Sequence, residues 1–149
     1  MTREQKYPET STFHYYNANP KNRMTGDCVV RALCTAMGKP YEDVYRELLE
    51  SALKTGYSIA STENFDRYLK ANGWIKNKQP RKADNTKYTG KEFCKELNAE
   101  IMAVGKSVIA NIGGHHIVCI KEAGEHGFFK VWDIWDSTYK CIGNYWTKG

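Results

Sequence analysis

No run of apolar residues in this chain approaches the length that crosses a bilayer, and the polar, charged N-terminus offers no signal-peptide core. The first absence speaks against a membrane helix and the second against export. The expectation is a cytoplasmic, reduced chain with no membrane partner. No CxxC pair occurs among the five cysteines at 28, 34, 94, 119 and 141, so the usual spacing of a structural zinc site is missing. Cys34, Cys94 and Cys119 sit in apolar segments, where a reduced cysteine behaves as a small hydrophobe. A reducing compartment also keeps a reactive thiol free. Internal repeats and low-complexity tracts are absent as well. With 149 residues, 41% of them hydrophobic and 26% charged, a single globular domain over 1–149 is expected, with 1–20 as an N-terminal arm or short strand.

Charge is present in modest excess, with 22 basic and 17 acidic residues giving +5. That permits an acidic partner without demanding one. The run 76–88 collects Lys76, Lys78, Arg81, Lys82 and Lys87 with little apolar character. It reads as a solvated surface loop and the most mobile stretch; a grip on nucleic acid is the alternative, resting only on charge and interleaved aromatics.

Helical spacing runs from Cys28 to Gly38, again from Tyr41 to Gly56 behind Pro40, and from Ser61 or Thr62 to Asn72-Gly73. Trp74-Ile75 suggests a short strand. Thr89-Gly90-Lys91-Glu92 fits a capping box opening a fourth helix through Phe93 and Leu97 towards Ile101. Residues 107–112, 116–121, 128–135 and 139–146 then read as strands. Helices first and strands second argue for an α+β fold with an antiparallel sheet.

Cys28 opens the first of these helices. Asp27 before it has the chemistry of an N-cap, and the positive end of the helix dipole favours thiolate over thiol. On this stretch alone Cys28 is equally an ordinary small residue at a helix start. Thiol catalysis also needs an imidazole base and a group to orient it. His116 begins an apolar strand after Gly113-Gly114, and Asp133 lies in the following strand, where a hairpin would bring the two together. His14 and His126 are most simply solvated. His115 and His116 are adjacent, so a strand turns them to opposite faces and only one can meet the cysteine. His115, His116 and Cys119 as a metal cluster is the alternative, although no fourth ligand stands at suitable spacing. Trp132, Trp135, Tyr139 and Trp146 either line a groove or form the packing face of the sheet.

Cysteine at a helix tip, histidine at a strand start and an acid on the next strand resembles the order in papain-like cysteine peptidases. Gly26-Asp27-Cys28 with its Ala/Leu-rich helix is similar to the bacteriocin-leader-processing branch. Gly-x-His followed by four apolar residues, and Trp-Asp-Ile-Trp-Asp-Ser, are similar to small phage and bacterial papain-fold proteins. The likeness covers roughly residues 17–146. It implies a papain-like arrangement of N-terminal helices on a C-terminal antiparallel sheet, with Cys28 as nucleophile, His116 rather than His115 as base, and Asp133 as orienting group. It also implies a polar oxyanion donor six residues before the cysteine, usually glutamine. Here that position is Asn22, one carbon shorter, with Asn17 as a weaker substitute. The activity implied is hydrolysis of a peptide, isopeptide or related acyl bond in a protein or peptide substrate, with no cofactor and no metal. The alternative is a catalytically silent papain-like fold acting as a binding or inhibitor protein, such as a phage product directed at a host protein.

Overall fold

Val29, Val30, Leu33 and Cys34 recur at the spacing of one helix face, and that face is buried in α2 (Cys28–Met37). The computed structural model describes residues 1–99, 106–124 and 127–149. Helix α2 ends where Gly38 takes a left-handed φ of 66°, a conformation glycine adopts without strain. It follows α1 (Arg3–Lys6) and strand β1 (Phe13–Tyr15), and is followed by α3 (Tyr41–Thr55), α4 (Thr62–Ala71) and β2 (Trp74–Asn77). Then come α5 (Gly90–Ala99), β3 (Val108–Ile112), β4 (His116–Ala123), β5 (Phe128–Asp133) and β6 (Ile142–Lys148). The capping box is made: the Thr89 amide donates to Glu92 Oε1 at 3.0 Å and the Glu92 amide to Thr89 Oγ1 at 3.2 Å. Ile101, expected near the end of this helix, and His126, expected in the β4–β5 turn, lie outside the described residues.

The fold is mixed α+β, with five helices and one six-stranded sheet in the order β1-β5-β4-β3-β6-β2 among the described residues. Helices α2, α3 and α4 cover one face, over Ile109, Ile117, Cys119 and Trp146. Helix α5 covers the other, with Phe93, Cys94 and Leu97 against Val118, Ile120 and Val131. Apolar residues therefore fill both sides of the central strands β3 and β4. No helix among the described residues is long and apolar enough to cross a membrane.

Two expectations need correction. The sheet is not purely antiparallel: β1 runs parallel to β5, with Phe13 opposite Val131 and Tyr15 opposite Asp133. A three-residue strand carries too little periodicity to announce its partner, and everything from α2 to β4 serves as the connection. Both edge strands, β1 and β2, come from before residue 105, and α5 packs on the face opposite the other helices. The basic stretch 76–88 is a surface segment with no buried residue, as expected, and it is anchored at several points. Lys76 and Asn77 belong to β2, Gln79 Nε2 donates to Ile142 O at 2.8 Å, Arg81 bridges to Lys87, and Lys82 pairs with Glu92. Side-chain anchors spread across the chain are invisible to composition.

Candidate active site

The β3–β4 turn holds Gly113 and Gly114 at φ 67° and 88°, which explains the glycine pair by backbone conformation. Asn111 clamps the turn through both its amide atoms to Gly114, and His116 leaves it as the first residue of β4, opposite Ile112. The β4–β5 ladder stops at Cys119–Trp132. Asp133, one residue beyond, is held instead by β1, where the Tyr16 amide donates to its carbonyl at 2.9 Å. The ends of β4 and β5 thus part, and the tip of α2 meets them in the opening.

Cys28, His116 and Asp133 come together there. His116 Nε2 lies 2.5 Å from Asp133 Oδ2, leaving Nδ1 as the ring nitrogen for sulfur. The Cys28 sulfur has His116 and the Ile117 backbone as its polar neighbours, and both favour its thiolate form. Burial alone disfavours a thiolate here. The bonds from His116 and Ile117, with the charges of His116 and Arg31, outweigh burial and bring the thiol below its ordinary range. Burial likewise works against the imidazolium, yet the bonds to Asp133 and Cys28 raise the His116 pKa to about 9. Both shifts run in the direction that favours a thiolate–imidazolium pair over neutral thiol and imidazole. The other three cysteines with resolved shifts, Cys34, Cys94 and Cys119, are all pushed up by burial.

The alternation argument for the histidines does not describe this geometry. Ile117 and Cys119, rather than Val118 and Ile120, lie on the α2 side of the sheet. His115 lies in the turn before β4 rather than in the strand, so alternation along the strand does not compare the two histidines. His115 is exposed in the turn. With His115 exposed, His116 on Asp133 and Cys119 fully buried, these residues do not converge on a metal position, and no group of three metal-ligating side chains stands among the described residues.

Asp27 is also corrected. Its side chain does not cap α2. Oδ1 accepts from Arg31 Nε at 2.8 Å, while Oδ2 accepts from Asn19 Nδ2 at 3.0 Å and the Tyr41 hydroxyl at 2.8 Å. A buried guanidinium one turn on is a stronger partner than a backbone amide. The first intrahelical bond runs from the Arg31 amide to Asp27 O, so the Cys28 amide has no acceptor within the helix. Asn22 sits exposed at φ 54°, its Oδ1 accepting from Asn17 Nδ2 at 3.3 Å; no described contact joins it or Asn17 to Cys28.

Arg31 was not foreseen, whereas Trp135, expected to line a groove or pack the sheet, stands against the candidate base. Arg31 stands inside an apolar run, only 7% exposed, and its Nη1 donates to Asp133 Oδ1 at 2.7 Å. A charge within a buried face must have a partner, and that was the signal available. The Trp135 ring lies 5.0 Å from the His116 ring, tilted by 38°. Of the remaining aromatics, Trp146 is core, Tyr139 is exposed, and Trp132 packs with His14 and Tyr16. A cavity of about 160 Å³ beside Gly26 and Asp27 is walled by Val30, Tyr41, Tyr45 and Ile59.

No family model, curated protein or solved structure matches this chain.

Proposed function

We propose that this chain is a papain-like cysteine hydrolase, acting in the cytoplasm on a peptide, isopeptide or related acyl bond of a protein or peptide. The observation that carries the reading is one continuous set of contacts, from the Cys28 sulfur through the His116 ring to the buried Asp133 carboxylate. Cys28 thiolate attacks the substrate carbonyl carbon, and the carbonyl π pair moves onto oxygen. The Cys28 amide and the Asn22 side chain are the donors proposed for that oxyanion. His116 then gives its Nδ1 proton to the departing amine or alkoxide as the C–N or C–O bond breaks, leaving a thioester. Water, deprotonated by His116, attacks the thioester; the acid departs and the thiolate–imidazolium pair returns. Asp133 fixes the ring orientation and stabilises its charge throughout.

Hydrolysis of a p-nitrophenyl ester by the intact chain tests this directly. A burst of nitrophenolate equal to the enzyme concentration, with an acyl group on Cys28 by mass spectrometry, is the expected result. Absence of both would leave the second reading, a silent binding or inhibitor fold. Its specific support is Asn22, whose side-chain oxygen is engaged with Asn17 rather than organised around Cys28.

A further inference from the structure

We propose that Arg31 is the positioning residue of this site, a buried clamp that holds the Asp133 carboxylate aimed at His116. The inference rests on the hydrolase reading and extends it to a residue that touches neither substrate nor sulfur. Asp133 is 2% exposed and takes hydrogen bonds on both oxygens. Oδ2 faces His116. Oδ1 accepts from Arg31 Nη1 at 2.7 Å and from the Ile134 amide at 2.7 Å. Arg31 is in turn held by Asp27 through Nε, and Asp27 by Asn19 and Tyr41. The chain of contacts crosses from α3 through the N-terminal loop and α2 to the end of β5.

The groups facing this cluster can be named from every side. Around Asp133 they are His116 from β4 and Arg31 from α2, with Arg3 donating to the neighbouring Ile134 carbonyl at 2.7 Å. Around Arg31 they are Asp27 and Asp133. Around Cys28 they are His116 and Arg31. Two buried carboxylates thus share one guanidinium, and the second cation in the cluster is the imidazolium itself. Without Arg31, Asp133 loses one of the two donors that fix Oδ1, and with it the aim of Oδ2 at His116. A misaimed Asp133 holds the imidazolium less well, and the Cys28 sulfur loses part of the charge that lowers its pKa. Arg31 therefore acts on sulfur mainly through Asp133 and His116.

The test is the pH profile of Cys28 alkylation by iodoacetamide, followed by peptide mapping, with circular dichroism to verify folding. Arg31→Gln is expected to move the acid limb up by about one pH unit or more. Arg31→Lys, which restores the charge but reaches fewer oxygens, should recover more than half of that shift. Asp27→Asn removes a competing anion and is expected to move the limb the other way, to lower pH. In an Asp133→Asn background, Arg31→Gln should add less than a threefold further change in rate at pH 6. A merely structural role would give Asp27→Asn and Arg31→Gln limbs shifted in the same direction, and that result overturns the clamp. So does an additive effect in the Asp133→Asn background. If Arg31→Gln does not fold, the Arg31→Lys and Asp27→Asn limbs decide alone, and an upward shift in Asp27→Asn overturns it. A wild-type profile with no depressed limb at all refutes the hydrolase reading itself; a depressed limb unmoved by Arg31→Gln refutes only the clamp.

Discussion

Arg31 Nη1 donates to Asp133 Oδ1 at 2.7 Å across 102 residues of chain, while the other oxygen of the same carboxylate faces His116. One carboxylate thus joins the helix that carries the cysteine to the strand that carries the histidine. The reactive pair is assembled by tertiary structure: α2 and the β4–β5 opening must dock before any of these contacts exists. The contacts that hold α2 to the sheet therefore also hold the candidate site together.

Arg31→Met should destabilise the fold by about 3–5 kcal/mol, since it leaves two buried carboxylates without their shared cation. The triple variant Arg31→Met, Asp27→Asn, Asp133→Asn removes the charges together and should recover most of that loss. Urea denaturation at pH 7 measures both. A loss below about 1 kcal/mol in the single variant would show that water or another cation reaches Asp133.

Among the five cysteines, Cys28 should be alkylated first at pH 6.5, although Cys141 is the more exposed. An ordinary exposed thiol is only about 1% thiolate at that pH, so a lead of at least about tenfold is expected. His116→Ala should abolish the lead and His115→Ala should spare it. Asp133→Asn should keep the sulfur in place but weaken the imidazolium beside it. The reverse ranking of the histidine variants would reassign the base.

His116 should titrate near 9 by NMR, against an ordinary 6.5, and more weakly so in Cys28→Ala, where one of its two stabilising partners is gone. Because the folded pKa lies above the unfolded one, its contribution to stability is complete below about 6.5 and is lost as pH rises through about 9. The thiol works in the opposite sense. Its folded pKa is depressed, so its contribution is present above the unfolded thiol range and is lost as pH falls through the folded value. Melts of wild type and Cys28→Ala from pH 5 to 10 separate the two: the difference between them should widen as pH rises from 5 and cease to widen as His116 loses its proton near 9.

Cys28 at a helix start, and His116 and Asp133 on strands joined by a hairpin, were legible because each follows from local periodicity and turn signals. The helix ends at Gly38 and Gly56 were legible for the same reason. Arg31 was not, because its meaning depends on Asp133, which no local pattern connects to α2. Asp27 misled for a related reason: an acid before a helix reads as a cap until a buried guanidinium competes for it. Parallel β1 and the anchored stretch 76–88 likewise depend on partners far along the chain.

Asn22 is the residue whose role separates acyl chemistry from simple thiol reactivity. Alkylation by iodoacetamide displaces iodide and develops no oxyanion, whereas ester hydrolysis passes through one. A donor to that oxygen should therefore matter in the second reaction alone. Asn22→Ala is expected to leave the alkylation rate of Cys28 within about twofold, and to lower acylation by a p-nitrophenyl ester about 10²-fold. Asn22→Gln lengthens the amide by one carbon towards the usual donor and should retain most of the activity. The proposed donor role requires the Asn22 side chain to turn from Asn17 towards the substrate, so Asn17→Ala, which frees it, should not reduce acylation. Equal losses in alkylation and acylation for Asn22→Ala would instead mean that the residue supports the loop leading into α2, and the Cys28 amide would then be left as the oxyanion donor.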